Sequence, residues 1–127
     1  MIVIDASAAV LGLLNDGEAR SKLAGEAVVT PYLADSEIVN ALRSQVLRGD
    51  VDESDARRAI GVWGRLGVQR VGVSGLLIRM WDLRANLTAY DATYVTVAET
   101  IDAALVTADG RLAQAPGPRC TITVVRS

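Results

Sequence analysis

A chain of 127 residues, half of them apolar, is long enough for one domain with a real hydrophobic core and too short for two. It has no histidine and one cysteine, Cys120, which excludes Ser-His-Asp and Cys-His catalysis, histidine-based acid–base chemistry, the usual zinc hydrolase sites and an internal disulfide. A formal charge of −2 argues against a generally basic nucleic-acid-binding surface, but arginines can still face phosphate around an acidic pocket whose charge a metal cancels.

The first element is Met1-Ile-Val-Ile-Asp5-Ala-Ser7, a β-branched strand ending on an acid where a helix can begin. Ala8–Leu14 and Glu18–Leu23 read as short helices broken at Asn15-Asp16-Gly17, and Ala27–Thr30 as a second strand closed by Pro31. From Leu33 to about Arg48 the pattern is helical, with Ile38, Val39, Leu42 and Val46 as one apolar stripe; the next helix runs from Asp52 or Ser54 to Leu66. Val68–Val73 alternates as a strand, and Ser74 is placed to cap a helix towards Arg84 that buries Leu77, Met80 and Trp81. Ala85–Thr88 connects to a helix over Ala89–Ile101, followed by a strand over Ala104–Thr107, a turn at Ala108-Asp109-Gly110, a short helix over Arg111–Ala115 and an edge strand over Thr121–Val125. Core packing is the preferred reading for Trp63 and Trp81, with an interface as the alternative for both and for Leu87.

Strands separated by helices imply a single-domain α/β protein over residues 1–127, a three-layer α/β/α sandwich with a mainly parallel central sheet. No apolar run approaches the roughly 18 residues of a membrane span, and Asp5 interrupts the only stretch like a signal-peptide core, so a cytoplasmic protein is expected.

In such sheets ligands bind beyond the carboxyl ends of the strands, which directs attention to four acids. Asp5 and Asp109 each follow a strand and share one sheet edge if those strands are parallel neighbours; taken alone, each reads first as a helix cap or turn residue. Asp91 heads the helix face that continues through Val95 and Ala98, as a buried cap or as part of a site. Glu37 shares a helix face with Asn40, Ala41 and Ser44, small and polar neighbours that allow close approach; taken alone, a solvated glutamate is the default reading and a site acid the alternative. Asp35 and the acids at 50, 52, 53 and 55 read as solvated helix-end charges. Carboxylates about 4 Å apart repel by roughly 4 kcal/mol at an effective dielectric of about 20, a penalty that a divalent cation removes. Oxygen donors without histidine select Mg²⁺ or Mn²⁺ over zinc, and phosphodiester hydrolysis is the leading chemistry.

Four segments, Val3-Ile-Asp5-Ala-Ser7, Ser36-Glu37-Ile-Val-Asn40-Ala-Leu-Arg43, Leu87-Thr-Ala-Tyr-Asp91-Ala and Leu105-Val-Thr107-Ala-Asp109-Gly-Arg-Leu112, together resemble the PIN-domain ribonucleases, and within them the VapC-type toxins of bacterial toxin–antitoxin pairs. The resemblance implies a PIN-like fold, an acidic metal site of Asp5, Glu37, Asp91 and Asp109, and Ser7, Asn40 and Thr107 orienting ligands and water around it. It further implies RNA cleavage, a homodimer and neutralisation by a VapB-type antitoxin. Some relatives carry another acid soon after the last aspartate, where this chain has Gly110 and Arg111, which leaves one or two ions open. Arg43, Arg79, Arg84 and Arg111 are candidate RNA phosphate contacts, or ordinary solvated arginines. Other folds that use acids at strand ends fit less well. A receiver wants a late lysine, whereas the only lysine is Lys22, and an aspartyl-nucleophile phosphatase wants an acid where Ser7 stands. The non-enzymatic alternative is a PIN-like module that binds RNA or regulates without cutting.

Overall fold

Ile2–Ile4 (β1) is a run of three branched apolar residues buried on both faces, as a central strand of a parallel sheet requires. The computed structural model describes all 127 residues and continues with α1 (Ala6–Leu14), α2 (Glu18–Gly25), β2 (Val28–Pro31), α3 (Leu33–Leu47), α4 (Glu53–Arg65) and β3 (Gln69–Val71). A 3-10 turn over Ser74–Leu76 leads into α5 (Leu77–Asp82), then α6 (Ala89–Ile101), β4 (Ala104–Thr107), α7 (Gly110–Gln114) and β5 (Ile122–Val124). The strand order is β3-β2-β1-β4-β5, and all four pairings are parallel. Right-handed crossovers put α1 to α4 on one face and α5 to α7 on the other, giving the three-layer α/β/α sandwich. No helix is long and apolar enough to cross a membrane.

The chain leaves β1 towards β2 on one side, while β4 fills the other, so the switch point of the sheet lies between β1 and β4. Ile4 pairs with Val106, and the Asp5 N–H extends the ladder by donating to the Val106 carbonyl at 3.0 Å. Asp5 and Thr107 therefore lie side by side at the carboxyl edge. Below them, α6 crosses β1, β2 and β4 with every residue from Ala92 to Ala98 buried. On the opposite face the fully buried Ala8 and Ala9 bring α1 close to its neighbours. At Gly12 a Cβ would stand 2.8 Å from Leu23 Cδ1 and 2.9 Å from the Ala19 and Arg20 backbone, so glycine is what lets α2 fold back on α1.

Three expectations fail, each for a reason of packing. Leu77 and Trp81 are 55% and 63% exposed; Ser74 opens the 3-10 turn instead of capping a longer helix. The short α5 packs on α6 through Met80 and Leu83, and its other apolar stripe points outward. Val39, 47% exposed, lies outside the buried line of Ala34, Ile38 and Leu42 on α3. Asp35 is no solvated helix-end charge: it accepts from Trp63 Nε1 at 2.8 Å and from Arg70 Nε at 2.8 and 3.0 Å, tying α3 to α4 and β3. That arginine is the main reason its carboxyl titrates below the usual range.

Candidate active site

Asp5 caps α1, with Oδ1 accepting from Ala8 N–H at 3.0 Å and from Ser7 Oγ at 2.6 Å. Its Oδ2 accepts from Thr107 Oγ1 at 2.5 Å. The same two hydroxyls hold the loop after β4, since Ser7 Oγ accepts from Ala108 N–H and Thr107 Oγ1 from Asp109 N–H, both at 3.0 Å. Capping and site-building are thus one arrangement: the carboxylate is fixed from three sides. Although the residue is only 7% exposed, no cation pairs with it. Burial is the main influence raising its pKa, opposed by the Ser7, Thr107 and Ala8 hydrogen bonds and reinforced by Asp109.

Asp91 occupies the third position of α6, where its N–H donates to the capping Thr88 Oγ1 at 3.1 Å. A helix N-terminus ordinarily favours a carboxylate. Here burial comes first in raising the pKa, followed by the charges of Asp5 and Asp109. Asp109 caps α7 and turns to Arg111, whose Nε and Nη2 stand 3.2 and 3.3 Å from its oxygens and hold its pKa below the usual range. The Arg111 guanidinium, almost wholly exposed, also partly offsets the charge on Asp91.

Glu37 reaches the same edge from α3, its Oε1 accepting from the Tyr94 hydroxyl at 2.6 Å. Tyr94 lies one turn after Asp91 on α6 and is close enough to Asp5 for that charge to help raise its phenol pKa, chiefly raised by burial and then by Glu37. Sequence reasoning missed Tyr94. Its spacing of three from Asp91 was the available signal, because it puts both on one helix face.

The side chains as they stand place no three acids at metal-ligating geometry, since Asp109 is turned to Arg111 and Glu37 to Tyr94. What the edge holds is an all-oxygen donor set whose negative charge Arg111 only partly offsets, to which a hard divalent cation is suited. Ser7 and Thr107 contact Asp5 directly. Asn40 is exposed on α3, with no hydrogen bond to the acids. Among the arginines, Arg43 is exposed, and Arg84 is exposed with its guanidinium 4.5 Å above the Trp81 ring. Arg79 is committed elsewhere, in a two-pronged pair with Glu99 at 2.9 and 3.0 Å.

Residues 2–118 match the family model described as the PIN domain. The chain belongs to the PIN-domain family. Within it, this PIN domain is 52% identical over 125 residues to VapC ribonuclease Mb0985 of Mycobacterium bovis, with 98% of each chain covered. It is 41% identical over 129 residues to ribonuclease VapC1 of Mycobacterium tuberculosis, covering 98% of this chain and 97% of that one. Its affinity is therefore with the VapC-type members. Among solved structures, PAE2754 from Pyrobaculum aerophilum is similar with a TM-score of 0.71 at 25% identity, covering 95% of this chain and 81% of that one. VapC20 of M. tuberculosis, described as a sarcin–ricin-loop-cleaving toxin, shares the fold with a TM-score of 0.65 at 19% identity, covering 90% and 94%.

The charge state of this PIN domain's cleft sets an unusual pH dependence. With folded pKa values raised, Asp5 and Asp91 bind protons more tightly in the folded than in the unfolded chain, so their contribution to stability falls as pH rises through the unfolded and then the raised folded values. Melting temperatures of the metal-free protein are expected to rise as pH is lowered from neutrality towards the raised values. Thermal denaturation across that pH range will measure the slope.

Proposed function

We propose that the protein is a metal-dependent endoribonuclease, the toxin of a type II toxin–antitoxin pair, hydrolysing RNA phosphodiester bonds at a site of Asp5, Glu37, Asp91 and Asp109 that binds Mg²⁺ or Mn²⁺. The observation that carries this reading is the nearness of Asp5, Asp91 and Asp109 at the carboxyl edge beside β1 and β4, where burial first, and then the neighbouring acid charges, raise the pKa values of Asp5 and Asp91. Likeness to VapC ribonucleases along the whole chain supports it.

Asp5 and Asp91 would hold the ion, with Asp109 and Glu37 completing the set, Asp109 giving up its pair with the exposed Arg111. When bound, the ion supplies Lewis-acid activation of water and neutralises charge developing on the phosphoryl group. Ser7 and Thr107 keep the Asp5 carboxylate in one orientation. With no histidine in the chain, the proton of the attacking water would pass to a carboxylate, and in this reading the partly exposed Glu37 takes it. Arg111, Arg43 and Arg84 remain as phosphate contacts in this reading, and Arg84 stacked on Trp81 presents a guanidinium and an aromatic face together. A homodimer and a VapB-type antitoxin belong to the same proposal, for which the outward stripe of Leu77, Ile78 and Trp81 supplies apolar surface.

Purified protein incubated with a panel of structured RNAs is expected to give discrete cleavage products in Mg²⁺ or Mn²⁺ and none after chelation. Equal cleavage with and without chelator would overturn metal dependence.

A further inference from the structure

Unlike Asp5 and Asp109, Glu37 neither caps a helix nor pairs with an arginine. Its side chain is partly exposed on α3 and has several rotatable bonds, so the helix alone leaves the carboxylate free to wander. One contact restrains it, the 2.6 Å hydrogen bond from Tyr94. Tyr94 suits the task because it is 1% exposed, its ring is locked in the core, and it is rooted on the helix face that carries Asp91. Tyr94 lies 57 positions from Glu37 in sequence, and its hydroxyl joins α6 to α3. The phenol engages Oε1 and leaves Oε2 without a hydrogen-bond partner from the protein.

We infer that Tyr94 is a positioning residue for the site, a rigid donor from α6 that holds the Glu37 carboxylate beside Asp5 and Asp91. The inference rests on the proposed metal-dependent reading, with Glu37 as a member of the site. A purely structural tyrosine would also seek a partner for a buried hydroxyl. Removing the hydroxyl alone separates the two roles, because only a positioning residue would then change metal binding and turnover.

The test is a cycle of wild type, Tyr94→Phe, Glu37→Gln and the double variant, each titrated with Mn²⁺ by calorimetry and assayed for RNA cleavage, with melting curves to establish folding. Tyr94→Phe keeps the ring and its packing. It is expected to raise the half-saturating Mn²⁺ concentration and lower kcat, each by about tenfold, with KM for RNA little changed. The double variant is expected to be no worse than Glu37→Gln, because the hydroxyl acts through that carboxylate. Tyr94→Phe matching wild type in Mn²⁺ binding and kcat, while Glu37→Gln is impaired, would overturn the positioning role and leave the proposed function standing. Fully additive losses in the double variant would also overturn it. Should Glu37→Gln itself match wild type in both assays, Glu37 lies outside the site and the inference falls with that part of the reading.

Discussion

Asp5→Asn is expected to abolish RNA cleavage and at the same time raise the melting temperature of the metal-free protein. Asparagine is an equally good helix cap, so the hydrogen bond from Ala8 N–H survives. The Ser7 and Thr107 hydroxyls can each donate or accept, and so can regroup around an amide. What disappears is the negative charge. Burial and Asp109 raise the pKa of Asp5, so its ionised form opposes folding at neutral pH, and removing the charge relieves that cost. Even partners of metal ligands typically contribute about 10- to 100-fold to affinity or activity, so losing Asp5, a ligand in the proposed reading, should reduce cleavage by more than about a hundredfold. Parallel melting and cleavage measurements decide the matter. Lost stability with retained cleavage would make Asp5 a helix cap alone.

Arg79→Ala is expected to destabilise the fold by about 2 kcal/mol while leaving cleavage by the folded molecules unchanged. Arg79 engages both oxygens of Glu99 and also donates to the Gly117 carbonyl at 2.9 Å, while Glu99 Oε2 accepts from Arg119 N–H at 2.7 Å. The cluster ties α5 and α6 to the segment before β5. Both side chains are largely shielded, so truncating the arginine strands a carboxylate that has little water to fall back on. Arg79 is the leading cause of the lowered Glu99 pKa; the sign is therefore opposite to that of Asp5. This stabilisation is present above the unfolded carboxylate pKa and is lost as pH falls through the lowered folded value. Denaturant melts at neutral and acid pH will show a deficit in the variant that shrinks on acidification. Unchanged stability with weakened RNA binding would return Arg79 to the phosphate contacts.

The two halves of the molecule were unequally legible in the sequence. The limits of α6 and β4 follow from local signals: Thr88 caps the helix, the apolar run of α6 ends at Asp102, and β4 is a compact apolar strand. Strands alternating with helices were enough to imply a parallel sheet. Placing β1 beside β4 then puts Asp5 and Asp109 on one edge. Periodicity shows that α5 has an apolar stripe but not whether that stripe faces the core, hence the error at Leu77 and Trp81. Asp35 with Trp63 and Arg70, Arg79 with Glu99, and Tyr94 with Glu37 are pairings over 20 to 57 positions, and nothing in the local pattern of either partner announces the other.

The acids at the switch point are proposed to bind a divalent ion, and calorimetric titration of the metal-free protein with Mn²⁺ beside Asp5→Asn tests that most directly. Saturable binding by wild type, abolished in a variant that remains folded, is the predicted result. No saturable binding by wild type, or the same isotherm from both proteins, would contradict it.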